Sequence, residues 1–143
     1  MAISQAMCSS FKTQLLTGTH NFTNSSGNVF KMALYTSSAT LSAATTAYTS
    51  SNEVTSTNYT AKGGTLTNIT PSHASGTVAF ASFSTLTFST VTFTARGALI
   101  HNTSASDKAV CVLDFGADKT ATAGNFTITF PTNDASTAVI RIV

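Results

Sequence analysis

At 143 residues the chain has room for one domain around a single core, and a hydrophobic fraction of 42% with ten Phe can fill that core, which excludes a disordered chain. Lys12, Lys31, Lys62, Arg96, Lys108, Lys119 and Arg141 stand singly against five Asp and Glu, for a net charge of +2, so neither a clustered phosphate-binding surface nor a nucleic-acid partner is expected. With 28 Thr and 19 Ser but only 8% charged residues, solubility rests on hydroxyl groups, whose flat packing suits repeated contacts between copies better than it suits a charged cleft.

The first residues, Met1-Ala2-Ile3-Ser4-Gln5, lack the basic and apolar regions of a signal peptide, and no later apolar run is long enough to span a bilayer. Synthesis and use in the cytosol are therefore expected, with no membrane partner. Ile3, Met7, Phe11 and Leu15 fall four apart and predict one helical stripe over Ile3 to Thr17, capped by Ser4 and ended by Gly18. Residues 1–18 thus read as an N-terminal helix or arm whose apolar stripe must lie on something, either its own domain or a neighbouring subunit. Cys8, within this stretch, and Cys111, in the strand-like run Ala109 to Leu113, are too few and too far apart for a disulfide framework or a metal site; Cys111 reads as a small buried thiol, and a bridge between the two is not implied.

After the turn Asn24 to Asn28 the pattern becomes β-rich. Predicted strands run Val29 to Tyr35, Glu53 to Thr57, Thr65 to Thr70, Gly76 to Phe83, Thr85 to Phe93, Arg96 to Asn102, Ala109 to Phe115, Phe126 to Phe130 and Ala138 to Val143. Phe126, Ile128 and Phe130 alternate with Thr127 and Thr129, which gives one buried and one hydroxyl-coated face. Ala39 to Thr57 suits a long surface loop as well as weak strand pairing, and Pro71 and Pro131 are expected at strand ends. Short strands without alternating helices predict an all-β fold, an antiparallel β-sandwich of jelly-roll type with one short N-terminal α-helix, in a single domain spanning 1–143. Its predicted core comprises Phe80, Phe83, Leu86, Phe88, Phe93, Leu99, Val112, Leu113, Phe126, Ile128, Phe130, Val139 and Ile140.

Residues able to carry chemistry are scattered. His20, His73 and His101 lie in unrelated segments beside Asn, Ser or Thr, without metal-ligand spacing, and read as solvated or turn-capping histidines. There is no Gly-x-Ser-x-Gly elbow among the many serines, and Asp114-Phe115-Gly116 has neither the Gly-rich loop nor the His-Arg-Asp loop of a kinase. Glu53, Asp107, Asp114, Asp118 and Asp134 fall mostly in predicted turns, and the loop holding Asp114 and Asp118 lacks the dense oxygen ligands of a calcium site. Asn21, Asn24, Asn58, Asn68, Asn102 and Asn125 begin Asn-x-Ser/Thr triplets and read as turn residues. No catalytic residue, cofactor site or metal site is expected.

The blocks Phe30-Lys31-Met32-Ala33-Leu34-Tyr35-Thr36-Ser37-Ser38-Ala39-Thr40-Leu41, Thr46-Ala47-Tyr48, Asn52-Glu53-Val54, Tyr59-Thr60-Ala61-Lys62-Gly63-Gly64, Phe93 to Ile100, Val112 to Gly116 and Ile140-Arg141-Ile142 carry a resemblance that covers most of the chain. In them the chain resembles a family of small structural proteins of tailed bacteriophages. Where family members have Ala-Gly-Gly, this chain has Ala61-Lys62-Gly63-Gly64, a departure expected to affect a loop. The resemblance implies a non-enzymatic virion component, assembled in the host cytoplasm, with a capsid decoration or cement protein as the leading expectation. Its partners would be the major capsid protein or other virion proteins together with copies of itself, a trimer being the expected homo-oligomer. The alternative is a tail, head-to-tail joint or fibre component contacting the host surface; a lectin-like module is disfavoured by the absence of Trp and by only three Tyr. The candidate interface is the stripe Ile3, Met7, Phe11 and Leu15.

Overall fold

The computed structural model describes residues 2–74 and 76–143. Its strands are β1 (Ala6–Met7), β2 (Phe30–Tyr35), β3 (Gly64–Thr65), β4 (Asn68–His73), β5 (Ala79–Phe83), β6 (Leu86–Asn102), β7 (Lys108–Ile128) and β8 (Ile140–Ile142), with one helix, α1 (Ser9–Leu16). They form two antiparallel sheets, one in the order β1-β7-β6-β2-β3 and one in the order β4-β5-β8. The fold is all-β, as the alternation of Phe and Thr predicts, with a single short α-helix among the described residues; the finer jelly-roll ordering is not confirmed by this topology.

The N-terminal helix is shorter than its periodicity suggests. Ile3 forms a parallel bridge with Leu41, and Ala6 and Met7 pair with Val112 and Cys111, so the backbone is extended before Cys8 and only two helical turns follow. Spacing of four residues is met by both conformations here because Ile3 and Phe11 reach the same core from a bridge and from a helix. Gly18, at φ +71°, ends the helix as expected, in a conformation that costs glycine little.

Two pairs of predicted strands are each one long strand. Thr85 to Phe93 and Arg96 to Asn102 fuse in β6, while Ala109 to Phe115 and the first three residues of Phe126 to Phe130 become parts of β7, which stops at Ile128. Their continuity survives through bulges. Gly97 pairs with Asp114 and Ala95 with Lys119, so four β7 residues, Phe115 to Asp118, stand opposite Arg96 alone. Register shifts again between Phe88 and Val91 and between Val91 and Phe93, where Thr90 and Ala123 have positive φ of 52° and 45°. Glu53 to Thr57 is no strand and makes only isolated bridges, such as Tyr35 to Glu53. Pro71 lies within β4 rather than at its end, which is tolerated because β4 is an edge strand and its register breaks between Ile69 and Ser72.

The core is centred on β2 and the second half of β6, where Phe30, Met32, Leu34, Tyr35, Leu99 and Ile100 are fully buried. Phe83, Phe88, Phe93, Leu99, Val112 and Ile140 are core residues as predicted. Leu86, Leu113, Phe126, Ile128, Phe130 and Val139 only pack against the core at its margin, and Phe80 lies half-buried at the surface. Phe11, Phe22 and Phe30 were absent from the predicted core yet join Phe83 in one aromatic cluster, with Phe22 stacked on Phe30 at 4.3 Å between ring centroids.

Candidate interaction surface

The bulges fold the β6–β7 ribbon back on itself, so that rings far apart in the chain meet. Phe93 lies 5.0 Å and Phe115 6.2 Å from Phe126, centroid to centroid. At this bend is an open cleft of about 620 Å³, lined by Leu113, Phe115, Phe126, Ile128, Phe130 and Val139 together with the polar Gln5, Asp114 and Lys119. β1 covers β7 only as far as Val112; the Gln5 side chain then takes over, its Oε1 accepting the Asp114 backbone N–H at 3.2 Å. Beyond that point the outer edge of β7 has no neighbouring strand among the described residues. The ribbon's solvent face carries hydroxyls in register: Thr87 and Thr127 are 3.2 Å apart, and Thr94 and Thr120 are 2.8 Å apart.

A second apolar cleft, of about 450 Å³, lies between the end of α1 and the small sheet, lined by Leu15, His20, Phe22, Phe80, Ile140 and Ile142. Leu16 beside it is 90% exposed. Of the predicted interface stripe, Ile3 and Phe11 are buried in the chain's own core, while Met7 and Leu15 are half-buried against it. The stripe therefore presents at most two of its four side chains outward, and Leu16, off the stripe, is the exposed apolar residue of this element.

Six titratable side chains scattered in sequence, Tyr48, Glu53, Tyr59, Lys62, His101 and Asp107, gather at the opposite end of the ribbon. Glu53 accepts three hydrogen bonds, from Tyr48 Oη at 2.5 Å, from Tyr59 Oη at 2.7 Å and from the Lys62 backbone N–H at 2.8 Å. Tyr59 Oη in turn accepts the Leu34 N–H at 2.9 Å. Next to this group Asp107 joins Lys62 Nζ at 2.6 Å to His101 Nδ1 at 3.1 Å, and His101 Nε2 lies 3.1 Å from the Lys62 carbonyl. Burial, and after it the bond to Glu53, pushes the Tyr48 hydroxyl up to about 12. Burial lowers His101 against the opposing pull of the Lys62 carbonyl and Asp107. Burial alone would raise Asp107, but Lys62 and His101 outweigh it and hold the carboxyl below its ordinary range.

These groups are linked to one another, with a neutral His101 able to donate to only one of its two facing acceptors, and their effect is to tie the 46–63 loop to the turn between β6 and β7. His101 is fully buried and His20 is 8% exposed, which corrects their reading as solvated residues; only His73 is exposed. Sequence spacing hid both because their partners come from distant segments, Lys62 for His101 and Asn102 for His20. Asp114 is occupied by its own turn: its Oδ1 accepts the Gly116 N–H at 2.9 Å and faces Arg96 Nε at 3.3 Å, and these contacts hold its carboxyl below the usual range. Among the described residues no group of three His, Cys, Asp or Glu is placed to hold a metal ion. Cys8 and Cys111 are both free thiols, pushed by burial up to about 11 and about 12, with Cys8 adding to the shift at Cys111.

Comparison with family models, with curated proteins and with solved structures returns no match to this chain.

Proposed function

We propose that the protein is a non-enzymatic structural subunit of a tailed-bacteriophage virion, acting as a capsid decoration or cement protein that binds the head shell as a homo-oligomer, with a trimer as the working assembly. The observation that carries this reading is the β6–β7 ribbon, which combines a hydroxyl-paired outer face with an apolar cleft and an unpaired edge. Such a surface offers shape-matched burial and many hydrogen bonds with few charges to desolvate, which is what repeated subunit contacts require. Sparse charge gives little electrostatic steering, so specificity would rest on fit. The resemblance of the Phe30 to Leu41 and Phe93 to Ile100 blocks to phage structural proteins supports the same reading.

The test is a reconstruction of particles assembled with and without the protein, paired with binding of the folded chain to empty shells. Density on the shell, and loss of binding at unchanged thermal stability on Thr127→Glu, an exposed position of the hydroxyl face, are the expected results. Binding to host envelope material and never to the shell would overturn the decoration reading in favour of a tail or fibre component.

A further inference from the structure

The two ring nitrogens of His20 face groups of opposite kind. Asn102 fixes one side: its Oδ1 accepts the Ser104 backbone N–H at 3.0 Å and its Nδ2 donates to Asn28 Oδ1 at 2.9 Å. Asn28 Oδ1 also accepts the Asn21 N–H at 2.8 Å, so neither amide can be turned over without losing a bond. The same Asn102 Nδ2 therefore donates to His20 Nδ1 at 2.9 Å. On the other side His20 Nε2 donates to Gln14 Oε1 at 2.8 Å. A ring that accepts at Nδ1 and donates at Nε2 is the neutral imidazole with its proton on Nε2.

Protonation would place an N–H against the Asn102 amide N–H. The surroundings offer no compensation by charge: Phe11 and Phe22 pack around the ring at 4.9 and 6.4 Å, Phe30 stacks at 6.3 Å, and no carboxylate among the described residues is within ion-pair distance. The charged group that bears on His20 is Lys108 at the start of β7, which is repulsive to a second cation and adds to burial in holding the ring below its ordinary value.

We propose that His20 is an acid-sensitive latch, whose neutral ring fastens residues 19–29 to the end of β6 and whose protonation frees that segment from β6 and exposes Phe30 and Phe83 behind Phe22. The ring bears on the segment's tie to β6, while Thr23, Asn24 and Asn28 keep their own hydrogen bonds to Asn68 and Thr70 of β4. Asn21 and Asn28 are held through Asn102, and Phe22, which the segment carries, covers Phe30 and Phe83. Because burial holds the closed ring below its ordinary value while an opened ring titrates near about 6.5, the open population should rise as pH falls below that value, by at most about tenfold per pH unit.

The test is amide hydrogen exchange on the full chain from pH 7.5 to 5, corrected for intrinsic rates, with an NMR titration of the imidazole nitrogens. The expected result is an Nε2–H tautomer titrating below about 6.5, with opening at the Val29 and Thr103 amides, whose hydrogen bonds join the segment to the end of β6, growing as pH falls below that value while Ile100 and Val112 stay protected. His20→Gln should flatten that dependence. Gln14→Glu, which faces the ring with a carboxylate, should raise the His20 titration point and weaken the acid response, and it decides the matter if His20→Gln does not fold. An Nδ1–H tautomer, a titration at or above 6.5 in the unmodified chain, pH-independent opening, or loss of protection throughout the chain at once would each overturn the latch.

Discussion

Phe115 and Phe126 belong to the same strand, β7, yet their ring centroids are only 6.2 Å apart. A straight strand would carry their backbones about 36 Å apart at about 3.3 Å per residue. The strand returns on itself because the four-residue excursion opposite Arg96 and the paired bulges near Thr90 and Ala123 each add local twist. Phe93, 7% exposed, is the ring on which this bend closes. Phe93→Ala should cost about 3 to 5 kcal/mol in chemical denaturation, whereas half-buried Phe115→Ala should cost about half that or less.

Two glycines of similar backbone conformation make a matched pair. Gly63 and Gly116 have φ of +80° and +77°. A methyl group on Gly63 would come within 1.7 Å of the Met32 carbonyl oxygen, while on Gly116 it would meet nothing within 4 Å. Gly63→Ala should therefore cost on the order of 4 kcal/mol or prevent folding, and Gly116→Ala only about 1 to 2 kcal/mol. Thermal unfolding of the two variants side by side checks it.

Glu53→Ala would leave the Tyr48 and Tyr59 hydroxyls and the Lys62 N–H without their shared acceptor. The expected loss is about 2 to 3 kcal/mol, because Tyr59 is buried and its hydroxyl cannot turn to water. Glu53→Gln keeps an acceptor and should recover part of it; equal losses in the two variants would show that charge, not hydrogen bonding, is what the site needs.

Asp107 gives a pH dependence of defined sign. Lys62 and His101 hold its carboxyl lower in the folded chain than in the unfolded one. A depressed carboxyl contributes stability that is present above its unfolded value, near about 3.9, and is lost as pH falls through the folded value. The denaturation midpoint should fall as pH drops below about 4, and Asp107→Asn should remove that component while lowering stability at pH 7.

Phe11→Ala should cost about 3 to 5 kcal/mol, and Leu16→Ser should change stability by less than about 0.5 kcal/mol, since the first side chain is fully buried and the second is 90% exposed. The contrast shows what spacing alone could and could not deliver. Alternation of Phe and Thr was sufficient for the sheets because a half-buried strand imposes period two on its sequence. It was not sufficient for β6 and β7, whose bulges reset the period at Arg96 and near Thr90 and so mimic strand ends. The four-residue stripe was ambiguous for a related reason: Leu41 captures Ile3 and Val112 captures Ala6, and neither partner is visible within the first 17 residues. The polar clusters were hidden most deeply, since Glu53, Lys62, His101 and Asp107 come together only when a loop crosses the end of the ribbon.

The pairing of β1 with Cys111 and Val112 also sets a timetable. β6 and β7 are joined by a short turn and can zip locally, but β2 must wait for Gly97 to Asn102, and β1 for Val112. On a ribosome that reads from the N-terminus, Phe11, Phe22 and Phe30 emerge long before the strands that shelter them. The first sheet is therefore completed late and nearly all at once, and a nascent chain stalled before residue 112 would hold its aromatic segments open to chaperones and to one another.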